Sequence, residues 1–223
     1  MRITLTRILS TFLISTVLLI FWIVLRETIN QNTGIVRICK RSEEFQTDLH
    51  DLAFRTHSIL TKFALTHFLC YGALWGQIRL SKTLPWETDV EICVLNEEIT
   101  AIEEAQIYRA FQKNGLIIQY ISSDGVYTIT DPTFEEGRIE LYVFELNIMT
   151  QMYKRIGWKR RVLPPDCKAM KSLECFPPRL IMPPLPKKEF GGYIFPVPRE
   201  GIELQKYHYE LNWWKEVKPT NCF

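Results

Sequence analysis

Apolar residues recur at helical spacing in two stretches of the chain. The first runs from Phe45 to Leu69 and predicts one or two helices. The second starts at Asn96 with an acidic first turn, and Asn114 and Gly115 follow it as typical end residues, so it predicts one helix through Phe111. The predicted inner face of the first stretch consists of Leu49, Leu52, Ala53, Ile59, Leu60 and Phe63.

Four shorter runs have the composition of β-strands. The middle two are separated by turn residues at 122–125, and the prolines after Trp158 predict short elements there. The predicted order is one strand, one helix and then several strands joined by short turns. This order indicates an α+β sheet covered by helices on one face. The four predicted strands are Glu91 to Leu95, Leu116 to Ile121, Val126 to Thr130, and Arg138 to Leu146.

An uncharged segment of 18 residues lies between Arg7 and Arg26. As a helix it would be roughly 27 Å long, which is close to the thickness of a bilayer core. A cleaved signal peptide is the alternative, but its cleavage site needs small residues, and the first alanine of the chain is Ala53. We therefore predict a tail at 1–7, a transmembrane signal-anchor at 8–25, a stalk at 26–44, and one domain at 45–223.

Charge and cysteine content narrow the choice of partner and compartment. The net charge of +2 gives no electrostatic reason to expect nucleic acid. Basic residues on both sides of the predicted anchor leave its orientation open. Six cysteines are compatible with an oxidising lumen. Cys167 and Cys175 are the best candidates for a disulfide, while Cys70 and Cys93 lie in apolar runs and are expected to be buried free thiols.

Carboxylates alternate along the strand that starts at Asp89. Asp89 and Glu91 point to one face, and Val90 and Ile92 point to the other, which faces the core. Two oxygen ligands at this spacing suit Mg²⁺ or Mn²⁺ together with a phosphate. A solvated polar face is the usual meaning of such a pair by itself.

Two nearby segments favour a metal site over a solvated polar face. They are YGALWGQIR at 71–79 and LPWETDVEI at 84–92. They resemble the LicD and fukutin family of phosphosugar and phosphocholine transferases. That family shows a Gly-Thr-Leu-Leu-Gly segment, then an arginine, then Pro-Trp-Asp-x-Asp-x-Asp. The matching residues of this chain are Gly72, Gly76, Arg79, Pro85, Trp86, Glu87, Asp89 and Glu91.

The resemblance implies a fold and a set of roles. The implied fold is a nucleotidyltransferase-like mixed sheet with flanking helices, here preceded by one transmembrane helix. Glu140 matches an acidic residue that the family often carries in an apolar strand, although an ordinary exposed strand residue is an equal alternative. The expected catalytic metal ligands are Asp89, Glu91 and Glu140, and the expected substrate-binding residues are Gly72, Gly76, Arg79, Trp86 and Glu87.

The implied activity is transfer of a phospho-alditol or phosphocholine group from a CDP-activated donor to a hydroxyl of a glycan or glycoprotein. We expect a single-pass protein of the Golgi or endoplasmic reticulum with a luminal domain that uses Mg²⁺ or Mn²⁺. Glutamate replaces the usual aspartate at positions 87, 91 and 140. A catalytically inactive relative that binds a glycan or a partner transferase is therefore the alternative, and a domain tethered on the cytosolic side is a third possibility.

Overall fold

The architecture comes from a computed structural model, which describes residues 12–24, 26, 39–162, 167, 174–209, 211–215 and 218. The chain divides into two units, Met1–Ile38 and Cys39–Phe223. In the first unit, residues 12–24 form helix α1. Within the described residues, no helix has both the length and the apolar character that a membrane span requires. The predicted anchor at 8–25 and stalk at 26–44 lie partly outside those residues.

Helix α2, Glu43–Lys62, covers most of the first predicted helical stretch. The Ser42 side chain accepts a hydrogen bond from the Phe45 N–H and caps the helix, whose first turn is acidic. All residues of the predicted inner face except Phe63 are buried. The helical prediction is wrong after Lys62, because Ala64 has a φ of 55° and the chain turns there into strand β1, His67–Leu69.

The second predicted helix is interrupted. It consists of α4, Asn96–Ile99, and α5, Glu104–Lys113. In one continuous helix, Ile99 and Phe111 would lie about 120° apart around the axis. The interruption allows both side chains to be buried, at 3% and 0% exposure. Before these helices, α3, Tyr71–Leu80, forms from the glycine-containing segment.

The sheet is mixed, which confirms the predicted α+β class. Along the sheet, β1 is followed by β2 (Asp89–Leu95), β5 (Phe134–Asn147), β4 (Val126–Asp131) and β3 (Ile117–Ile121). β6 (Met152–Arg155) pairs with β5, and β7 (Cys175–Phe176) pairs with β6. β2 and β5 are parallel, whereas the other pairs are antiparallel. All four predicted strands are present, as β2, β3, β4 and β5. The added strands are β6 and β7.

The C-terminal part is built from short elements, as the prolines predict. Helix α2 packs against β2, β4 and β5. Helix α3 packs against β2 and against the last described helix, α7 (Gly201–His208). The fully buried Phe68, Phe111, Phe144 and Phe176 form part of one core. The elements after β5 also include α6, Trp158–Val162; a 3₁₀ turn, Pro178–Ile181; β8, Lys187–Phe190; β9, Tyr193–Pro196; and α7, Gly201–His208.

Two disulfides join pairs of cysteines that both lie within the described residues. Cys167 and Cys175 are paired, as predicted. Cys70 and Cys93 are also paired, so the expectation of free thiols there is wrong. The apolar surroundings are real, since both residues are 0% exposed, but a buried disulfide has the same surroundings as a buried thiol. Cys70 immediately precedes α3, so this bond joins the start of that helix to β2.

Candidate active site

The parallel pairing of β2 with β5 assembles the acidic residues. In the register of these strands, Asp89 lies opposite Arg138 and Glu91 lies opposite Glu140. Paired residues in adjacent strands point to the same face, and so do residues two positions apart. Asp89, Glu91, Arg138 and Glu140 therefore share one face, which confirms the predicted alternation. Val90, Ile92, Ile139 and Leu141 point to the opposite face and are buried.

The carboxylate of Glu91 binds the start of helix α3. Its two oxygens accept hydrogen bonds from the Gly72 N–H at 3.2 Å and from the Ala73 N–H at 2.8 Å. The residue before the helix, Cys70, provides no side-chain cap. Glu91 thus satisfies backbone donors that the helix itself leaves free, at the end where a negative charge is favoured.

Gly72 leaves room for this close approach. A Cβ atom at position 72 would lie 3.0 Å from Glu91 Oε1 and 3.4 Å from Glu87 Oε1. Both carboxylates therefore lie beside this glycine. A side chain at position 72 would press on the Glu91 carboxylate, which would have to shift slightly.

A guanidinium group lies between the other two carboxylates. Arg138 Nε donates to Glu140 Oε1 at 2.8 Å, and an Nη of Arg138 lies 3.4 Å from Asp89 Oδ2. The other oxygen of Glu140 accepts a hydrogen bond from the Tyr142 hydroxyl at 2.6 Å. The Arg138 side chain is 43% exposed, whereas those of Asp89 and Glu140 are 16% and 18% exposed. Arg138 is thus the solvent-facing member of this group.

The pKa values of three carboxylates of the site, those of Glu87, Asp89 and Glu91, are raised. Burial and the neighbouring Asp89 raise the pKa of Glu87 to about 7. Burial, with Asp89 and Glu87 nearby, raises the pKa of Glu91 well above its usual value. Burial and the Glu140 carboxylate raise the pKa of Asp89, although Arg138 acts in the opposite direction. Burial and mutual repulsion therefore both oppose full ionisation of these three carboxylates.

Aromatic residues surround the carboxylates. The rings of Tyr71 and His208 are stacked, with centroids 4.0 Å apart, and the Arg155 guanidinium lies 4.1 Å from the Tyr142 ring centroid. Burial, and then the carboxylate of Glu91, raises the pKa of Tyr209. Tyr209 also feels the charges of Glu87 and Asp89, so its hydroxyl belongs to the same site.

The remaining predicted residues lie at different places. Trp86 lies close enough to Glu87 to lower the pKa of its carboxyl, against the larger effect of burial, and so belongs to the cluster. Gly76 packs against backbone, because a Cβ there would lie 2.4 Å from the carbonyl oxygen of Lys82. The guanidinium of Arg79 lies over Trp75, 4.3 Å from the ring centroid, and donates to the carbonyl oxygen of Lys215 at 2.9 Å. Arg79 therefore interacts with the C-terminal segment in this arrangement.

The predicted ligand set has the right chemistry for a hard cation, since Asp89, Glu91 and Glu140 offer only carboxylate oxygens on one face. Among the described residues, however, no three acidic, histidine or cysteine side chains stand together as a metal-binding group. The contacts explain this result, because Glu91 is turned towards α3 and Arg138 lies between Asp89 and Glu140. A cation would have to exchange with one of these partners.

Several residues of the site were not predicted. Arg138 and Tyr142 lie two positions on either side of Glu140 in one strand, so the alternation that selected Glu140 could have found both. The amide of Ala73, the ring of His208 and the hydroxyl of Tyr209 have no comparable sequence signal. The Ala73 amide reaches the site because α3 packs on β2, and the α7 residues reach it because α7 packs on α3.

Comparison with known proteins identifies the family of the chain. The model of the LicD/FKTN/FKRP nucleotidyltransferase domain matches residues 64–200. This range contains every predicted site residue and both strands that carry the carboxylates. The chain therefore belongs to the LicD/FKTN/FKRP family, and its domain is of the transferase type.

The other comparisons add less. The crystal structure of the lincosamide antibiotic adenylyltransferase LnuA with bound lincomycin is similar, with 11% sequence identity and a TM-score of 0.43. The match covers 77% of this chain and 86% of that one. Among curated proteins, the comparison finds no match.

Proposed function

We propose that this chain is a membrane-anchored transferase of the secretory pathway. Its donor would be CDP-activated and would deliver a phospho-alditol or phosphocholine group to a hydroxyl of a glycan or glycoprotein. The proposal rests on one observation. Glu87, Asp89, Glu91 and Glu140 lie together near the start of α3, within the range that matches the family. The buried Cys70–Cys93 disulfide supports a luminal domain, because such bonds persist in oxidising compartments.

In the proposed reaction, the acceptor hydroxyl oxygen forms a bond to the transferred phosphorus, and the bond from that phosphorus to CMP breaks. CMP leaves with the electron pair, and the proton of the hydroxyl passes to a carboxylate of the site. Bound Mg²⁺ or Mn²⁺ would neutralise the diphosphate of the donor. The residues that would hold the cation come from Asp89, Glu91 and Glu140.

The proposal is tested by ligand-dependent stability of the full 223-residue chain in detergent. CDP together with Mn²⁺, at about 100 times the dissociation constant, is expected to raise the melting temperature by about 5–10 °C. Asp89→Ala should abolish this increase. Asp48→Ala is the matched control, because Asp48 is exposed on α2. Wild-type protein that does not respond to the ligands would contradict the proposal.

The alternative, a catalytically inactive scaffold, is favoured by one observation. Each of Asp89, Glu91 and Glu140 already has a protein partner, which is how a site that no longer binds its ligands would be stabilised. A scaffold would bind its glycan or protein partner equally well with Asp89→Asn. Loss of transfer activity together with retained partner binding in that variant would separate the two functions.

A further inference from the structure

The three predicted metal ligands differ in how they are held. The Glu91 carboxylate accepts from two backbone N–H groups at the start of α3, whose positions are set by the helix. Asp89 and Glu140 share one side-chain partner, Arg138, at 3.4 Å and 2.8 Å, and Glu140 also accepts from the Tyr142 hydroxyl. The half-exposed Arg138 side chain can turn into solvent and leave both carboxylates, whereas the N–H partners of Glu91 stay in place.

The position of Arg138 makes it a competitor for cations. Its guanidinium lies between two carboxylates that come from neighbouring strands, which is where a bridging cation would also have to lie. Two positive charges at this place would repel each other strongly, since the interaction of unit charges a few ångströms apart is poorly screened near a protein surface. Occupation by one therefore excludes the other.

We propose that Arg138 competes with the divalent cation for Asp89 and Glu140, and that Glu91 is a positioning residue rather than a metal ligand. Asp89 and Glu140 would hold the cation once the Arg138 side chain has turned towards solvent, and two carboxylates are enough for Mg²⁺ when substrate phosphate is also present. Glu91 stays on α3 and keeps the Gly72 and Ala73 amides in place. This inference rests on the proposed metal-dependent function, but it concerns cation affinity, which is measurable without turnover.

The first test is Mn²⁺ binding to the full chain in detergent, measured by calorimetry without donor. Arg138→Gln removes the competing charge and keeps a polar side chain of similar length. It should bind Mn²⁺ at least about tenfold more tightly than the wild type. Arg109→Gln is the matched control, because Arg109 is exposed on α5 and donates to Ala105 of its own helix; it should leave the affinity unchanged.

The second test separates the carboxylates and needs no change at Arg138. Asp89→Asn and Glu140→Gln should each weaken Mn²⁺ binding at least about tenfold, whereas Glu91→Gln should change it by less than about threefold. Equal losses for Glu91→Gln and Glu140→Gln would overturn the assignment of Glu91. Unchanged or weaker Mn²⁺ binding by Arg138→Gln would overturn the competition.

These outcomes are distinguishable from failure of the proposed function. If CDP has no effect in any variant but Arg138→Gln binds Mn²⁺ more tightly, the competition stands and the CDP-dependent activity fails. If CDP with Mn²⁺ stabilises the wild type and Arg138→Gln binds Mn²⁺ no better, the activity stands and the competition fails.

Discussion

The carboxylates on β2 and β5 and the histidines around α2 are both buried ionisable groups, but their partners differ in kind. His67 donates from Nδ1 to the carbonyl oxygen of Leu65 at 2.7 Å, and its Nε2 accepts from His57 Nδ1 at 2.6 Å. His50 Nε2 accepts from the Thr83 N–H at 3.1 Å. Each histidine is thus satisfied in its neutral form, and burial lowers its pKa.

The carboxylates differ because they repel one another. Burial raises the pKa values of Glu87, Asp89 and Glu91, and each of the three also lies near another acid. Burial of a neutral, hydrogen-bonded group serves packing, whereas several like charges brought together are unfavourable unless a ligand uses them. The histidine region is therefore structural and the carboxylate region is the candidate for binding, although both contain titratable side chains.

The largest effect on stability is expected from removing the Cys70–Cys93 disulfide, which joins the start of α3 to β2. Replacing both Cys70 and Cys93 with alanine opens a loop with a sequence separation of 23 and should cost about 3 kcal/mol of unfolding free energy. For a domain of this size, that corresponds to a melting temperature lower by about 6–12 °C. Thermal unfolding followed by circular dichroism measures the change.

The control is the double alanine variant at Cys167 and Cys175. Its separation of only 8 predicts a smaller entropic contribution, by roughly 1 kcal/mol, and it leaves the start of α3 untouched. Only the Cys70 and Cys93 variant should also lose stabilisation by CDP and Mn²⁺. Equal loss in both variants would mean that α3 needs no covalent attachment to β2.

A smaller effect is expected at Glu91, where removal of the acceptor and removal of the charge can be separated. Glu91→Ala leaves the Gly72 and Ala73 N–H groups without their acceptor and should cost about 2–3 kcal/mol. Glu91→Gln keeps one acceptor oxygen and removes repulsion by Asp89 and Glu87. Its unfolding free energy at pH 7, measured in urea, should lie within about 1 kcal/mol of the wild type. A glutamine variant as unstable as the alanine variant would show that the negative charge itself holds α3.

The smallest effect is the opposite pH dependence of the two regions. The pKa of His57 is lowered from 6.5 to about 4, so the unfolded chain takes up the proton first and stability falls as the pH falls from 6.5 to 4. The pKa of Glu87 is raised from 4.5 to about 7, so its contribution is full below 4.5 and is lost as the pH rises through 7. Both groups are partly solvated, which limits each effect to about 1 kcal/mol.

Melting temperatures between pH 4 and pH 8 measure these slopes. His57→Gln should flatten the decline on the acidic side, and Glu87→Gln should flatten the decline towards neutral pH. If either variant leaves both slopes unchanged, the two regions do not differ in the way described.

Local patterns predicted much of this molecule. Alternation located β2 and β5 and selected the face that carries Asp89 and Glu140, because side-chain direction in a strand follows from sequence position alone. The same patterns placed one continuous helix after Asn96 and missed β1. In both cases the outcome depends on what the segment packs against, such as burial of both Ile99 and Phe111. The partners of the carboxylates were beyond prediction for the same reason, since Gly72 and Glu91 meet only through the docking of α3 on β2.

The parallel pairing of β2 with β5 also has a consequence for the order of folding. β3, β4 and β5 are joined by short turns and pair antiparallel, so this three-stranded meander can form from local contacts. Its pairing with β2 closes a much longer loop, through α4 and α5, and brings Glu140 towards Asp89 and Glu91. We therefore expect the carboxylates to meet in a non-local step of folding, which their mutual repulsion opposes. Arg138 arrives on the same strand as Glu140, so the compensating charge is delivered in the step that needs it.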